Sequence, residues 1–418
     1  MRMTNRNRIK AGCFFTGLLL LLGGGICAFG NTVAISGAEI HTMDGRIWET
    51  GTILITDGKI VAVGRDVSVP EDAEIIEAGG HILYPGFIAS SGLFAPGASE
   101  NFESFSPDAS AADRFDFYGD YIRFVRRGVT SAFVSMPADR IIPGKGVVVR
   151  LGSRGNLSSL LKEGAALNIN LGREAVLPPM TDIFPAPVSI ENPLVPSIKQ
   201  FPSSSLGGFW LLAELFRPDP FTGELARYYQ NAANSLKESL EAGLPLIVRC
   251  REAAEIRMAI RLARSVGMPL VLQGAEDVEE WIEILKENDI PVIAETDVTP
   301  NGQGHSRDFG EKEDRWSMTE NIPVLIRQGI RVAIVPMDED GLPDLFWITQ
   351  YFRRYGIDAE ELIRTITLNP AKIFGLEGRI GSLSPGKDAD ILFFKREAGA
   401  VLPVLKKVMS QGLIVYEE

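Results

Sequence analysis

Residues 244–274 read L-P-L-I-V-R-C-R-E-A-A-E-I-R-M-A-I-R-L-A-R-S-V-G-M-P-L-V-L-Q-G. Leu246-Ile247-Val248 is a short apolar run of the kind a buried strand needs. Ala253 to Val266 carries Ile256, Ile260 and Ala263 at helical spacing, which puts them on one face. Pro269 to Leu272 then returns as a second strand. The unit repeats in both directions. Upstream, Gly128–Val134 and Val147–Leu151 are strand-like, and Leu225–Ala242 has helical spacing. Downstream, helices over 278–288 and 322–328 alternate with strands over 291–294 and 332–335. Residues Asp358 to Phe374 form a long predicted helix, with Asp358 as its N-cap and acids in its first turn. Strand–helix alternation at this spacing predicts a parallel sheet. Closed into a barrel, such a sheet places any site at the C-terminal ends of its strands.

The two ends of the chain read differently. In T-I-L-I-T-D-G-K-I-V-A-V-G (52–64), Asp57-Gly58 joins two β-branched runs as a hairpin turn. Near the C-terminus, Ser384-Pro385-Gly386-Lys387 has Pro second and Gly third, the pattern of a type II turn. Strands follow at 388–394, 404–409 and 413–416. Strands at both termini around an α/β middle predict one β-sandwich assembled from the two ends. The expected organisation is 31–84 plus 375–418 for the sandwich and 85–374 for the barrel. Within the barrel, residues 172–220 hold nine of the 25 prolines. Regular helix or central strand is excluded over Pro178–Pro202. A long excursion over the barrel mouth and a plain surface loop are both compatible with it.

The first thirty residues stand apart. Arg2, Arg6, Arg8 and Lys10 precede an uncharged stretch, and Ala28-Phe29-Gly30 offers small residues for cleavage. This predicts an export signal ending at Gly30, and a periplasmic or extracellular protein. The alternative is an uncleaved anchor, since about 20 apolar residues span a bilayer. Cys250 is the only cysteine beyond that segment, so the remaining chain can form no internal disulfide. A net charge of −12 with no basic cluster excludes nucleic acid as a natural partner. No membrane contact is expected once the signal is removed.

Several segments resemble those of the metal-dependent amidohydrolase superfamily, in particular its exported imidazolonepropionase-like members. They are P-G-F-I at 85–88, R-G-V-T-S at 127–131, G-K-G-V-V-V-R-L at 144–151, T-L-N-P-A-K-I-F-G-L at 367–376 and G-S-L-S-P-G-K-D-A-D at 381–390. The resemblance covers essentially all of the chain after residue 30. It implies an α/β fold, a (β/α)8 TIM barrel with a composite β-sandwich, and an ancestry in hydrolysis of C–N bonds of cyclic or peptide-like amides. It also implies one or two divalent ions held by His residues of the first, fifth and sixth strands and an Asp of the eighth. Such an ion lowers the pKa of a bound water and polarises the substrate carbonyl.

The ligand positions do not carry those residues. Where the family has P-G-F-I-D-x-H-x-H, this chain has Ala89 for Asp and Ser91 and Leu93 for the two His. The fifth-strand His is replaced by Arg249, a permanent cation that repels zinc. The sixth-strand His is replaced by Gln273, a poor zinc ligand, and the eighth-strand Asp falls on Met337, or on Asp338 with a shift of one residue. Ala165–Leu171, around the fourth strand, contains no lysine. Of the three histidines, His41 and His81 belong to the sandwich and only His305 to the barrel. Carboxylates at or beyond predicted strand ends are Glu276, Glu295, Asp297 and Asp338. Two of them are candidates for an acid–base pair. A buried Arg249 also needs a carboxylate, and Asp338 is the expected one. Cys250 beside Arg249 reads either as an activated thiol or as a buried core residue.

The leading expectation is a protein that has lost its metal ligands and needs no cofactor. It would serve as a pseudoenzyme that binds a small molecule or partners a homologous amidohydrolase subunit, as a homo- or hetero-oligomer. The first alternative is an active exported hydrolase with a relocated site built from Asp338, Glu276 and His305. The second is a surface-interaction protein using the proline-rich excursion.

Overall fold

Alternating burial along the central strands decides which side chains face inward. Ile247, Val271, Ile293 and Ala333 share one core with Ala89 and Phe133, whereas Val248, Leu272, Ala294 and Ile334 share another with helical Ile256, Ile260, Ile322 and Leu325. Successive strand residues point to opposite faces, so one set fills the interior of the sheet and the other meets the helices. The computed structural model describes residues 32–94, 103–152, 157–176, 201–217, 224–298, 317–337 and 339–418. The N-terminal segment expected to be an export signal, most of the proline-rich stretch, His305 and Asp338 lie outside the described residues.

The first strands are β1 (Thr32–His41), β2 (Ile47–Thr56), β3 (Lys59–Gly64), β4 (Glu74–Glu77) and β5 (His81–Pro85). Then come β6 (Phe87–Phe94), β7 (Val129–Ser135), β8 (Gly144–Arg150), β9 (Ser159–Asn170), β10 (Leu246–Cys250), β11 (Leu270–Gly274), β12 (Val292–Thr296) and β13 (Val332–Pro336). The chain ends with β14 (Ile391–Lys395), β15 (Val404–Ser410) and β16 (Leu413–Glu417). Strands β6 to β13 form one eight-stranded sheet in chain order. The terminal strands form a second sheet in the order β16-β15-β14-β5-β1-β2-β3, with β4 paired to β1. Strands from both ends of the chain therefore interleave within one hydrogen-bonded sheet: β5 lies between β14 and β1. The Asp57-Gly58 hairpin has positive φ at both residues (51° and 73°), as a type I′ turn requires, and Gly386 takes φ 89° in the predicted type II turn.

Two expectations need correction. The barrel sheet is not uniformly parallel, because β8 runs antiparallel to both β7 and β9. The connections 136–143 and 151–158 are shorter than the dozen or so residues a parallel crossover needs. The long helix over 358–374 is in fact two, Ala359–Arg364 and Leu368–Ile373. Asp358 caps the first as expected, its carboxylate accepting from the Glu360 N–H. Pro370 lies inside the second helix and has no N–H to offer the carbonyl four residues back, and the carbonyls at the break have work elsewhere. Ile366 O accepts from the Ile88 N–H at 2.8 Å, Thr365 O from the Ile334 N–H at 3.3 Å, and Asn369 Nδ2 donates to Val332 O at 2.8 Å. The break thus bridges β6 and β13, the two edges of the sheet.

The other motifs lock the same end. A Cβ on Gly86 would lie 2.1 Å from Thr130 Oγ1, and one on Gly128 (φ 94°) would lie 2.9 Å from the Phe87 ring. The Phe87 N–H donates to Gly128 O at 2.9 Å. Two glycine-bearing motifs are therefore one packing contact. In the last motif, buried Asp388 and Asp390 receive the Arg150 guanidinium at 2.6 and 3.0 Å, and Lys59 and Arg379 reach Asp388 at 2.6 and 2.9 Å. This network ties the end of β8 to the terminal sheet. Among the described residues no helix is long and apolar enough to cross a membrane.

Two outcomes follow. Gly86→Ala is expected to lower unfolding free energy by about 1–3 kcal/mol in urea titrations, because Thr130 is buried and cannot yield. Burial alone would raise the Asp388 pKa, but Lys59, Arg150 and Arg379 hold it below the ordinary carboxylate range. The stabilisation is then complete above the unfolded pKa of about 3.9 and lost as pH falls through the lower folded value. Asp388→Asn should be destabilised near neutral pH and show a shallower acid-unfolding profile than the parent.

Candidate functional site

The inward-facing parity continues to the C-terminal strand ends. Arg249 and Gln273 lie two residues beyond Ile247 and Val271, and Glu295 two beyond Ile293, so each projects into the barrel mouth. Asn168 and Asn170 of β9 are in register with Ile247 and Arg249 and share that face. The network they build is continuous. Glu295 Oε1 accepts from Arg249 Nη1 at 2.8 Å and from Gln273 Nε2 at 2.8 Å. The same Gln273 amide donates to Ser91 Oγ of β6 at 2.9 Å. On the other side, Arg249 Nε lies 3.6 Å from Glu174 Oε1, which also accepts from Asn170 Nδ2 at 3.4 Å. Gly172 allows this approach, since a Cβ there would meet the Glu174 carboxylate at 2.6 Å.

Glu295, one of the strand-end carboxylates considered for an acid–base pair, is thus the partner of Arg249 among the described residues; Asp338, the expected one, lies outside them. The signal for Glu295 was the register, since it shares parity with the inward Ile293. The pair is well shielded, with side-chain exposures of 15% for Arg249 and 6% for Glu295. The charge of Glu295 raises the Arg249 pKa against the opposing effect of burial. The guanidinium stays protonated.

The other candidates lie elsewhere. Leu93 is in β6, paired through its backbone with Val134. Met337 follows β13 and donates its N–H to Thr296 O at 3.2 Å. Glu276 sits beyond β11 with an Arg251 ion pair at 3.7 Å, outside the central network. Asp297 accepts from Thr319 Oγ1 at 3.2 Å. His41 lies 2.8 Å from Glu39, and His81 edges onto Phe393, both in the terminal sheet. Cys250 is fully buried on the outward face of β10, and burial pushes its thiol pKa up, which removes the activated-thiol reading.

The chemistry of the donor set follows from these bonds. A cation needs lone pairs aimed at a common point. At the positions that correspond to metal ligands, Arg249 and Gln273 present N–H groups, and both spend them on the one Glu295 oxygen. Among the described residues no group of three or more His, Cys, Asp or Glu side chains converges. The cavity enclosed by Ser135, Asn168, Asn170, Arg249 and Gln273 measures about 20 Å³, room for a single water.

Glu295→Gln is expected to cost about 3 kcal/mol in equilibrium unfolding, because it leaves a buried guanidinium with only the half-exposed Glu174 nearby. The double variant Arg249→Met/Glu295→Leu should recover most of that loss.

The amidohydrolase family profile matches residues 277–415. An imidazolonepropionase of Thermoplasma acidophilum is 23% identical over 410 residues, covering 89% of this chain and 91% of the relative. Among solved structures, an amidohydrolase from Thermotoga maritima MSB8 superposes with a TM-score of 0.72 at 24% identity, over 92% of this chain and 100% of that one. A prolidase complexed with N-methylphosphonate-L-proline superposes at 0.56 with 14% identity, over 93% and 100%.

Proposed function

We propose that the chain is a member of the amidohydrolase superfamily, as the profile match and the similar proteins support, and one in which an internal ion pair occupies the place of the catalytic metal. It would act as a non-catalytic binding protein or as the partner subunit of a homologous amidohydrolase. In this reading the sheet of β6 to β13 is a modified (β/α)8 barrel, and the terminal strands are its composite sandwich. The chain is exported, with residues 1–30 removed.

One observation carries the proposal. A single Glu295 oxygen is shared by Arg249 and Gln273, at 2.8 Å from each. Those residues stand where the family's histidines would stand. The network supplies the cross-strand ties that a metal supplies elsewhere, without a Lewis acid and without an open coordination position. Among the described residues, the buried carboxylate of the network, Glu295, is committed to Arg249 and Gln273 and not held ready as a base. Glu276, the described member of the alternative site, faces Arg251 rather than this network.

The test is direct. Purified protein, expressed with excess zinc, manganese and iron in the medium, is expected to carry well under one equivalent of any of them by plasma mass spectrometry. It is also expected to leave cyclic amides, including imidazolonepropionate, and dipeptides unhydrolysed. Stoichiometric metal, or turnover abolished by a chelator, would reject the reading.

A further inference from the structure

A second space lies away from the mouth. A cleft of about 580 Å³ opens at the opposite end of the barrel, where β6 begins and the terminal sheet lies against the helix Leu345–Tyr351. Its volume is within the roughly 300–1,000 Å³ of small-molecule sites. Its floor is aromatic: Phe346 and Phe394 lie 4.7 Å apart, and Phe346 stacks on Phe87 at 5.8 Å with ring planes within 7°. Trp347 and Leu405 continue the apolar wall.

The edge of this cleft carries Arg126 and Arg127, both exposed. Among the described residues neither side chain forms a hydrogen bond or ion pair. Neighbouring Arg123 holds Glu339 and Asp340, Arg379 holds Asp388, and Arg396 holds Glu39. The chain has more acids than bases, with net charge −12, so arginine partners are abundant. Two acids also line the cleft. Glu418 shares Lys406 with Glu397, at 2.8 and 2.7 Å, so Asp344 and part of the Glu418 charge stand against the two guanidinium groups. A flat apolar floor under an edge with excess guanidinium charge matches a ligand with an apolar body and a carboxylate head, which arginine binds with two parallel N–H donors.

We propose that this cleft is a binding site for a small organic carboxylate with an aromatic or aliphatic body. The proposal is independent of the fate of the metal site, because the cleft shares no residue with the mouth.

Titration calorimetry of the whole protein with 3-phenylpropionate, 3-phenylpropanamide and phenethylamine tests it. The acid is expected to bind saturably at one site, and the uncharged amide about tenfold more weakly. The double variant Arg126→Gln/Arg127→Gln should lose about tenfold in affinity for the acid and none for the amide, with an unchanged melting temperature. Trp347→Phe should retain the heat of binding and lose the ligand-induced change in tryptophan emission. The proposal is overturned by any of four results: absence of saturable binding up to the solubility limit, equal affinity for acid and amide, affinity unaffected by removal of both arginines, or tighter binding of the amine.

Discussion

A guanidinium in the mouth of a barrel sets the terms for everything around it. Arg249 cannot shed its proton at any relevant pH, so it must be neutralised where it stands. Glu295 does this from two strands away, and Glu174 adds a second carboxylate from the segment after β9. Once Glu295 is committed to Arg249, its shared oxygen draws the Gln273 amide, and the same amide nitrogen reaches Ser91. Charge on one strand has thus organised side chains on β6, β11 and β12. A divalent cation would organise the same strands by the opposite arrangement, with lone pairs facing inward. The two arrangements exclude each other, because a donor hydrogen and a metal cannot occupy one lone pair.

The same rule governs Arg150, which is also buried. Arg150 ends β8 with its head between Asp388 and Asp390, and Lys59 and Arg379 complete the balance around Asp388. Here the ion pairs join the barrel sheet to the terminal sheet. Breaking either network by removing one partner costs far more than the network contributes over an apolar replacement, since the orphaned charge stays buried. The aspartates of the C-terminal motif are therefore explained by architecture and need no part in chemistry.

This separates two kinds of family likeness. The segments at 85–88, 127–131, 367–376 and 381–390 hold the end of the barrel away from the mouth. Gly86 and Gly128 allow β6 and β7 to approach, Thr365 and Ile366 bridge the sheet edges, and Asn369 caps the start of β13. These positions keep their residues because packing and backbone hydrogen bonding demand them. The mouth answers to different demands, set by the charge of Arg249. Fold and chemistry can vary separately in such a barrel, because the two sit at opposite ends of the same strands.

The sequence by itself determined the strand–helix order of the barrel segments, the hairpin at Asp57-Gly58 and the turn at Pro385-Gly386. Each of these is local: periodicity over a few turns or a φ requirement. It did not reveal that β8 reverses direction, that the helix over 358–374 breaks to serve two strand edges, or that Glu295 answers Arg249. Those outcomes depend on which backbone carbonyls and which inward faces come together across the sheet. Register between distant strands, with the need to satisfy every buried donor and charge, decided them, and no stretch of neighbouring residues contains that information.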